Sequence, residues 1–152
     1  QASARLLGQS GGEAMILVDT GAWLALADRG DAYHVRSSEF FRRNREPLMT
    51  TYPVLVESVH LMYKRTGITK TLAWLDALHT QGVGVFTMTT AHLPRLGALM
   101  HQYRDLPMVL ADASLVLLAE ELGEGRIVST DERDFHAYRW KNQHPFCNLL
   151  VA

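Results

Sequence analysis

The sequence predicts an α/β domain with a mostly parallel sheet, covered by helices on both faces. Three observations carry this: short aliphatic runs alternate with longer stretches of helical period, the strand runs are continuously apolar, and turn residues mark each change. Ile16, Leu17 and Val18 read as the first strand, closed by Asp19, Thr20 and Gly21, after which Trp23, Leu24, Leu26 and Ala27 recur at helical spacing. Residues 33–45 form an amphipathic helix that sets Val35, Phe40 and Phe41 against Arg36, Arg42, Arg43 and Arg45, and Pro47 stops it. Residues 48–50 are a short buried strand. Pro53 suits the first turn of the next helix, which runs to Arg65 with Gly67 as its stop.

A short helix over 71–79 ends near Gly82, and a strand follows over 83–88. A helix over 91–103, the turn at Asp105, Leu106 and Pro107, and a helix over 110–122 closed by Gly123 and Gly125 come next. Residues 126–129 give a strand, 131–135 a turn or short helix, and 147–151 an edge strand. Residues 1–14, rich in Gly, Ser, Gln and Ala and lacking the apolar centre of a secretory signal, read as a disordered tag or leader before one domain over 15–152.

A chain of 152 residues can bury a core without disulfides or a structural metal. The net charge of -1 excludes a uniformly basic binder of nucleic acid, so any such contact must come from a local patch. A single cysteine, Cys147, no Cys/His zinc spacing and no apolar run long enough for a bilayer together predict a cytoplasmic setting without membrane contact. The seven histidines show no paired spacing of a zinc enzyme, no glycine-rich loop opens a helix, and no nucleophile elbow is present. Glu57 and His60 match the local spacing of di-iron bundles, but the strands argue against a bundle.

Four acids stand where lone charges are costly. Asp19 ends an aliphatic run, Glu57 shares a helical stripe with Pro53, Val54, His60 and Leu61, Asp112 has Met108, Val109, Leu115 and Val116 one turn away, and Asp131 follows Ile127 to Thr130. Three have a plain structural reading, since Asp19 and Asp112 suit helix caps and Asp131 a turn, whereas a surface glutamate at 57 would more naturally sit opposite that stripe. Taken together they suggest carboxylates converging on a divalent cation, because hard oxygen ligands are what magnesium and manganese prefer. Asp19 and Asp131 reach the carboxyl edge of the sheet by local reading alone, whereas Glu57 and Asp112 need tertiary folding to arrive there.

With these residues in place, the chain resembles the PIN-domain family, and within it the VapC-type toxins of toxin–antitoxin pairs. The resemblance rests on Val18, Asp19, Thr20, Gly21, Ala22 and Trp23, on Val54 with Glu57, on Leu110 to Ser114 around Asp112, and on Ser129, Thr130, Asp131, Asp134 and Phe135. It departs from the pattern at Gly21, where the family often has serine, and at Val109, where a further aspartate is common. It implies a PIN-like three-layer α/β/α sandwich of about five strands and a magnesium- or manganese-dependent endoribonuclease. The implied ligands are Asp19, Glu57, Asp112 and Asp131, with Asp134 ambiguous between ligand and cap, and Thr20, Ser129, Thr130 and Asp105 set around them.

The implied RNA contacts come from surrounding cations, for which the candidates are Arg42, Arg43, Arg45, Lys64, Arg65, Arg133, Arg139 and Lys141. The implied partners are a VapB-type antitoxin, RNA and a second copy of the chain, the last meeting apolar faces of the helices over 53–65 and 91–103. Two other readings fit the same resemblance: a degenerate PIN-like module that binds RNA or protein without cleaving, against which the four acids argue, and a PIN nuclease outside toxin–antitoxin pairs.

Overall fold

Three consecutive aliphatic side chains can all be buried only in a strand covered on both faces, and β1 (Ile16–Val18) is such a strand, its residues 1%, 0% and 0% exposed. The computed structural model describes residues 14–151, so all but the last residue of the expected leader lies outside the described residues. After β1 come α1 (Thr20–Ala27), α2 (His34–Arg43), β2 (Leu48–Thr51), α3 (Tyr52–Thr66), α4 (Ile68–Thr80) and β3 (Gly84–Phe86). A 3₁₀ turn (Thr90–His92) leads into α5 (Leu93–Gln102), α6 (Leu110–Leu122), β4 (Arg126–Val128) and α7 (Glu132–Ala137). The chain closes with β5 (Arg139–Trp140), β6 (His144–Pro145) and β7 (Cys147–Asn148).

The sheet has five strands in the order β3-β2-β1-β4-β7, every neighbouring pair parallel, with Leu17 facing Met49 on one side and Ile127 on the other. This is the expected α/β fold. Parallel pairing puts the carboxyl ends of β1 and β4 side by side, and that edge gathers the acids. Thr51 caps α3 by accepting the Val54 N–H at 3.3 Å, Pro53 sits in the first turn, and Gly67, at φ 88°, ends the helix. The α6 helix runs through the core, with every residue from Ala111 to Ala119 buried, and Gly123 ends it in the left-handed conformation.

Several boundaries differ from the sequence expectation for identifiable reasons. Val83 spends its N–H on the Leu78 carbonyl, closing the turn after α4, so β3 starts at Gly84; β2 has already ended opposite Phe86, which leaves residues 87 and 88 without a partner. Pro94 divides the expected helix over 91–103 into the 3₁₀ turn and α5. The edge strand stops at Asn148 because that side chain takes over the pairing: its amide nitrogen donates to Ser129 O at 2.9 Å, and its oxygen accepts the N–H groups of Ser129 and Leu150. The β5–β6 hairpin was not expected; its two-residue strands are too short to show a period. Among the described residues no helix is long and apolar enough to cross a membrane.

Candidate metal centre

Asp19 extends β1 by one residue, its N–H donating to Val128 O at 3.1 Å, and its carboxylate turns back into the start of α1. Oδ1 accepts the Thr20 N–H at 2.7 Å and Oδ2 the Ser129 hydroxyl at 2.8 Å. The same Ser129 oxygen accepts the Asp131 N–H at 2.9 Å, so one hydroxyl ties the acids that follow β1 and β4. Asp131 caps α7, its Oδ1 accepting the Asp134 N–H at 3.1 Å. Asp112 reaches the same place from the first turn of α6, with Oδ2 accepting the Tyr138 hydroxyl at 2.8 Å.

One carboxylate oxygen each from Asp112, Asp131 and Asp134 lies within 4.8 Å of the others. Asp134, left ambiguous by its sequence, thus stands in the tightest group. Asp19 flanks the three closely enough for charge to act, and half-buried Glu57 lies within the same reach of Asp19: Glu57 and Asp131 both disfavour ionisation of Asp19, and Asp19 disfavours that of Asp112.

Burial first, and repulsion from Glu57 and Asp131 second, raise the Asp19 pKa to about 6 against the hydrogen bonds from Ser129 and Thr20. Asp112 is pushed up to about 7, mainly by burial and then by the charge on Asp19, while the Tyr138 hydroxyl opposes the rise. Burial also raises Asp131. The donors are hard oxygens crowded at a spacing that repels, which fits a divalent cation of the magnesium, manganese or calcium type.

The remaining expected residues are spread more widely. Among the described residues Thr20 Oγ1 is buried without a hydrogen-bond partner, and Thr130 fills the space over Gly21, where an added Cβ would stand 1.9 Å from Thr130 Oγ1. Asp105 is exposed in the turn between α5 and α6. Of the eight candidate cations, Arg133 touches the acids, its Nε donating to Asp134 Oδ1 at 3.3 Å. Arg65 is paired with Asp31 at 3.2 Å, and Lys64 is exposed beside it at the end of α3. Arg139 donates to the His136, Ala137 and Tyr138 carbonyls at the end of α7, and the Lys141 ammonium lies over Trp140.

Arg42 and Arg45 line a cleft of about 840 Å³ with Pro47, Leu48 and Val83, at the amino ends of β2 and β3 and so at the sheet edge opposite the acids. Arg43 lies nearby, against Leu149 and Leu150. Arg42 and Arg45 thus stand away from the acids, because α2 returns the chain to the start of β2. Arg36, in α2 but outside the eight, approaches Glu132 to 3.9 Å, next to Asp131. Sequence reasoning also missed Tyr138 and Asn148. Their only trace is the spacing of Phe135 and Tyr138; nothing local marks a phenol or an amide that reaches a distant acid.

The PIN domain family model matches residues 16–141. Ribonuclease VapC26 of Mycobacterium tuberculosis is 27% identical over 124 residues, which cover 82% of this chain and 92% of that protein. The crystal structure of VapC20 of Mycobacterium tuberculosis, a sarcin–ricin loop cleaving toxin, superposes with a TM-score of 0.71 at 23% identity, covering 78% of this chain and 91% of the other. The chain belongs to the PIN domain family.

Proposed function

We propose that the protein is a divalent-metal-dependent endoribonuclease, the toxin of a VapBC-type pair. One observation carries the reading: three carboxylates from two helices and a strand end meet within 4.8 Å at the carboxyl edge of the sheet, with a fourth, Asp19, tied to them through Ser129. Asp19, Glu57, Asp112, Asp131 and Asp134 hold the ion, magnesium or manganese, and Ser129 sets Asp19 against Asp131. When bound, such an ion supplies Lewis acidity toward water and offsets charge on the phosphodiester.

The protein's own groups do the rest. Thr20 Oγ1, buried and without a partner among the described residues, is available to orient a polar group beside Asp19. Arg133, 78% exposed at the rim, offers the RNA backbone a cation where the acids would otherwise repel it. A VapB-type antitoxin fits the same edge, since a basic side chain placed among carboxylates of raised pKa relieves their repulsion. A homodimer uses α3, whose Tyr52, Val56 and Tyr63 are 57%, 69% and 54% exposed, whereas on α5 Leu96 and Leu99 are committed to the core and Leu93 is exposed.

Purified protein free of partners should cleave structured RNA with magnesium or manganese, and Asp19→Asn should reduce the rate by about a hundredfold or more. Cleavage that survives EDTA or this substitution contradicts the reading. A neighbouring gene for a small DNA-binding protein whose product suppresses cleavage separates a toxin from other PIN nucleases.

A further inference from the structure

We propose that Tyr138 is a positioning residue of the metal centre, its hydroxyl holding one oxygen of Asp112 so that the other is presented to the ion. The proposal rests on the reading of the acids as a divalent-metal site. Tyr138 follows α7 directly and is fully buried, its ring edge-on to Phe135 at 5.1 Å and to Tyr103 at 4.9 Å between centroids. The phenol is therefore boxed, and a buried phenolic hydroxyl needs a partner. Asp112 Oδ2 is that partner, at 2.8 Å.

The three clustered acids differ in what fixes them. Asp131 is held by its own cap bond to the Asp134 N–H, and Asp134 has Arg133 on Oδ1, both within α7 and its cap. Asp112 comes from α6, and among the described residues its carboxylate accepts one hydrogen bond, from Tyr138; Oδ1 accepts none. The terminal torsion of an aspartate is soft, so a carboxylate without that bond can swing out of register with its neighbours. Tyr138, itself in the segment that follows α7, thus carries the alignment of α6 relative to α7 at the level of the ligand atoms.

The test is binding of manganese alone to the full chain, by calorimetry or by electron paramagnetic resonance of the free ion. Tyr138→Phe, which removes one oxygen and keeps the ring, should weaken manganese binding by about tenfold or more. In an Asp112→Ala background the same change should cost nothing further, since Tyr138 acts through Asp112. Tyr103→Phe, which removes a hydroxyl serving only a backbone N–H, should bind as the unaltered protein does.

All variants are measured well below their melting midpoints. A Tyr138→Phe protein that loses stability but keeps its manganese affinity overturns the proposal and leaves the metal reading intact. Additive losses in the double variant also overturn it. An unaltered protein that binds no manganese overturns both.

Discussion

Ser129 shows how much a single hydroxyl organises here: it donates to Asp19, accepts from the Asp131 backbone, and is itself held at both backbone groups by Asn148. Nearby, Thr130 explains the glycine at 21, since its side chain already occupies the volume a serine would need. Ionisation is the other residue-scale property. Asp19 at about 6 and Asp112 at about 7 lie above the ordinary aspartate value, so the folded chain binds more protons than the unfolded one. Their contribution to stability is complete below about pH 4 and is lost as pH rises through about 6 to 7. Metal-free protein should therefore melt at a higher temperature at about pH 5 than at about pH 8, and Asp112→Asn should flatten that slope. A midpoint that falls on acidification over this range contradicts the raised values. Added manganese selects the ionised carboxylates, so its stabilising effect should grow with pH.

At the scale of elements, what the sequence made legible was whatever has a local cause. The apolar run at Ile16 to Val18, Pro53 in the first turn of α3 and Gly123 after α6 each declare their element directly. Asp19 and Asp131 were placeable because each follows a strand. The reach of Asp112 to Tyr138, and the distance of Arg42 and Arg45 from the acids, are settled by packing between segments remote in sequence. The β5–β6 hairpin belongs to this second kind, for it is pinned by Glu120 of α6. That carboxylate accepts two bonds from Arg95, at 3.0 and 2.8 Å, and the Lys141 N–H at 2.6 Å, where Lys141 and Asn142 adopt positive φ. Glu120→Ala should lower the unfolding free energy by about 1–3 kcal/mol in urea titrations. It should leave manganese affinity unchanged, and a parallel loss of affinity would show that the hairpin and the metal centre are coupled.

For the whole molecule, the surface divides by function. The carboxyl edge of the sheet carries the acids, and α3 and α4 carry most of the exposed apolar side chains, Tyr52, Val56 and Tyr63 on one and Ile68, Leu72 and Leu75 on the other. Val56→Asp should convert a dimer to monomer in sedimentation experiments while the monomer keeps its fold, because Val56 is 69% exposed in the single chain. A dimer that persists places the contact elsewhere.

The short outer strands carry a consequence of their own. β3 offers three residues of ladder and β7 two, and at the end of β7 the Asn148 side-chain amide has turned inward to bond Ser129. Neither border presents a long run of free amides and carbonyls to a passing chain, so the same asparagine that steadies the acids also helps keep the protein from adding strands edge to edge.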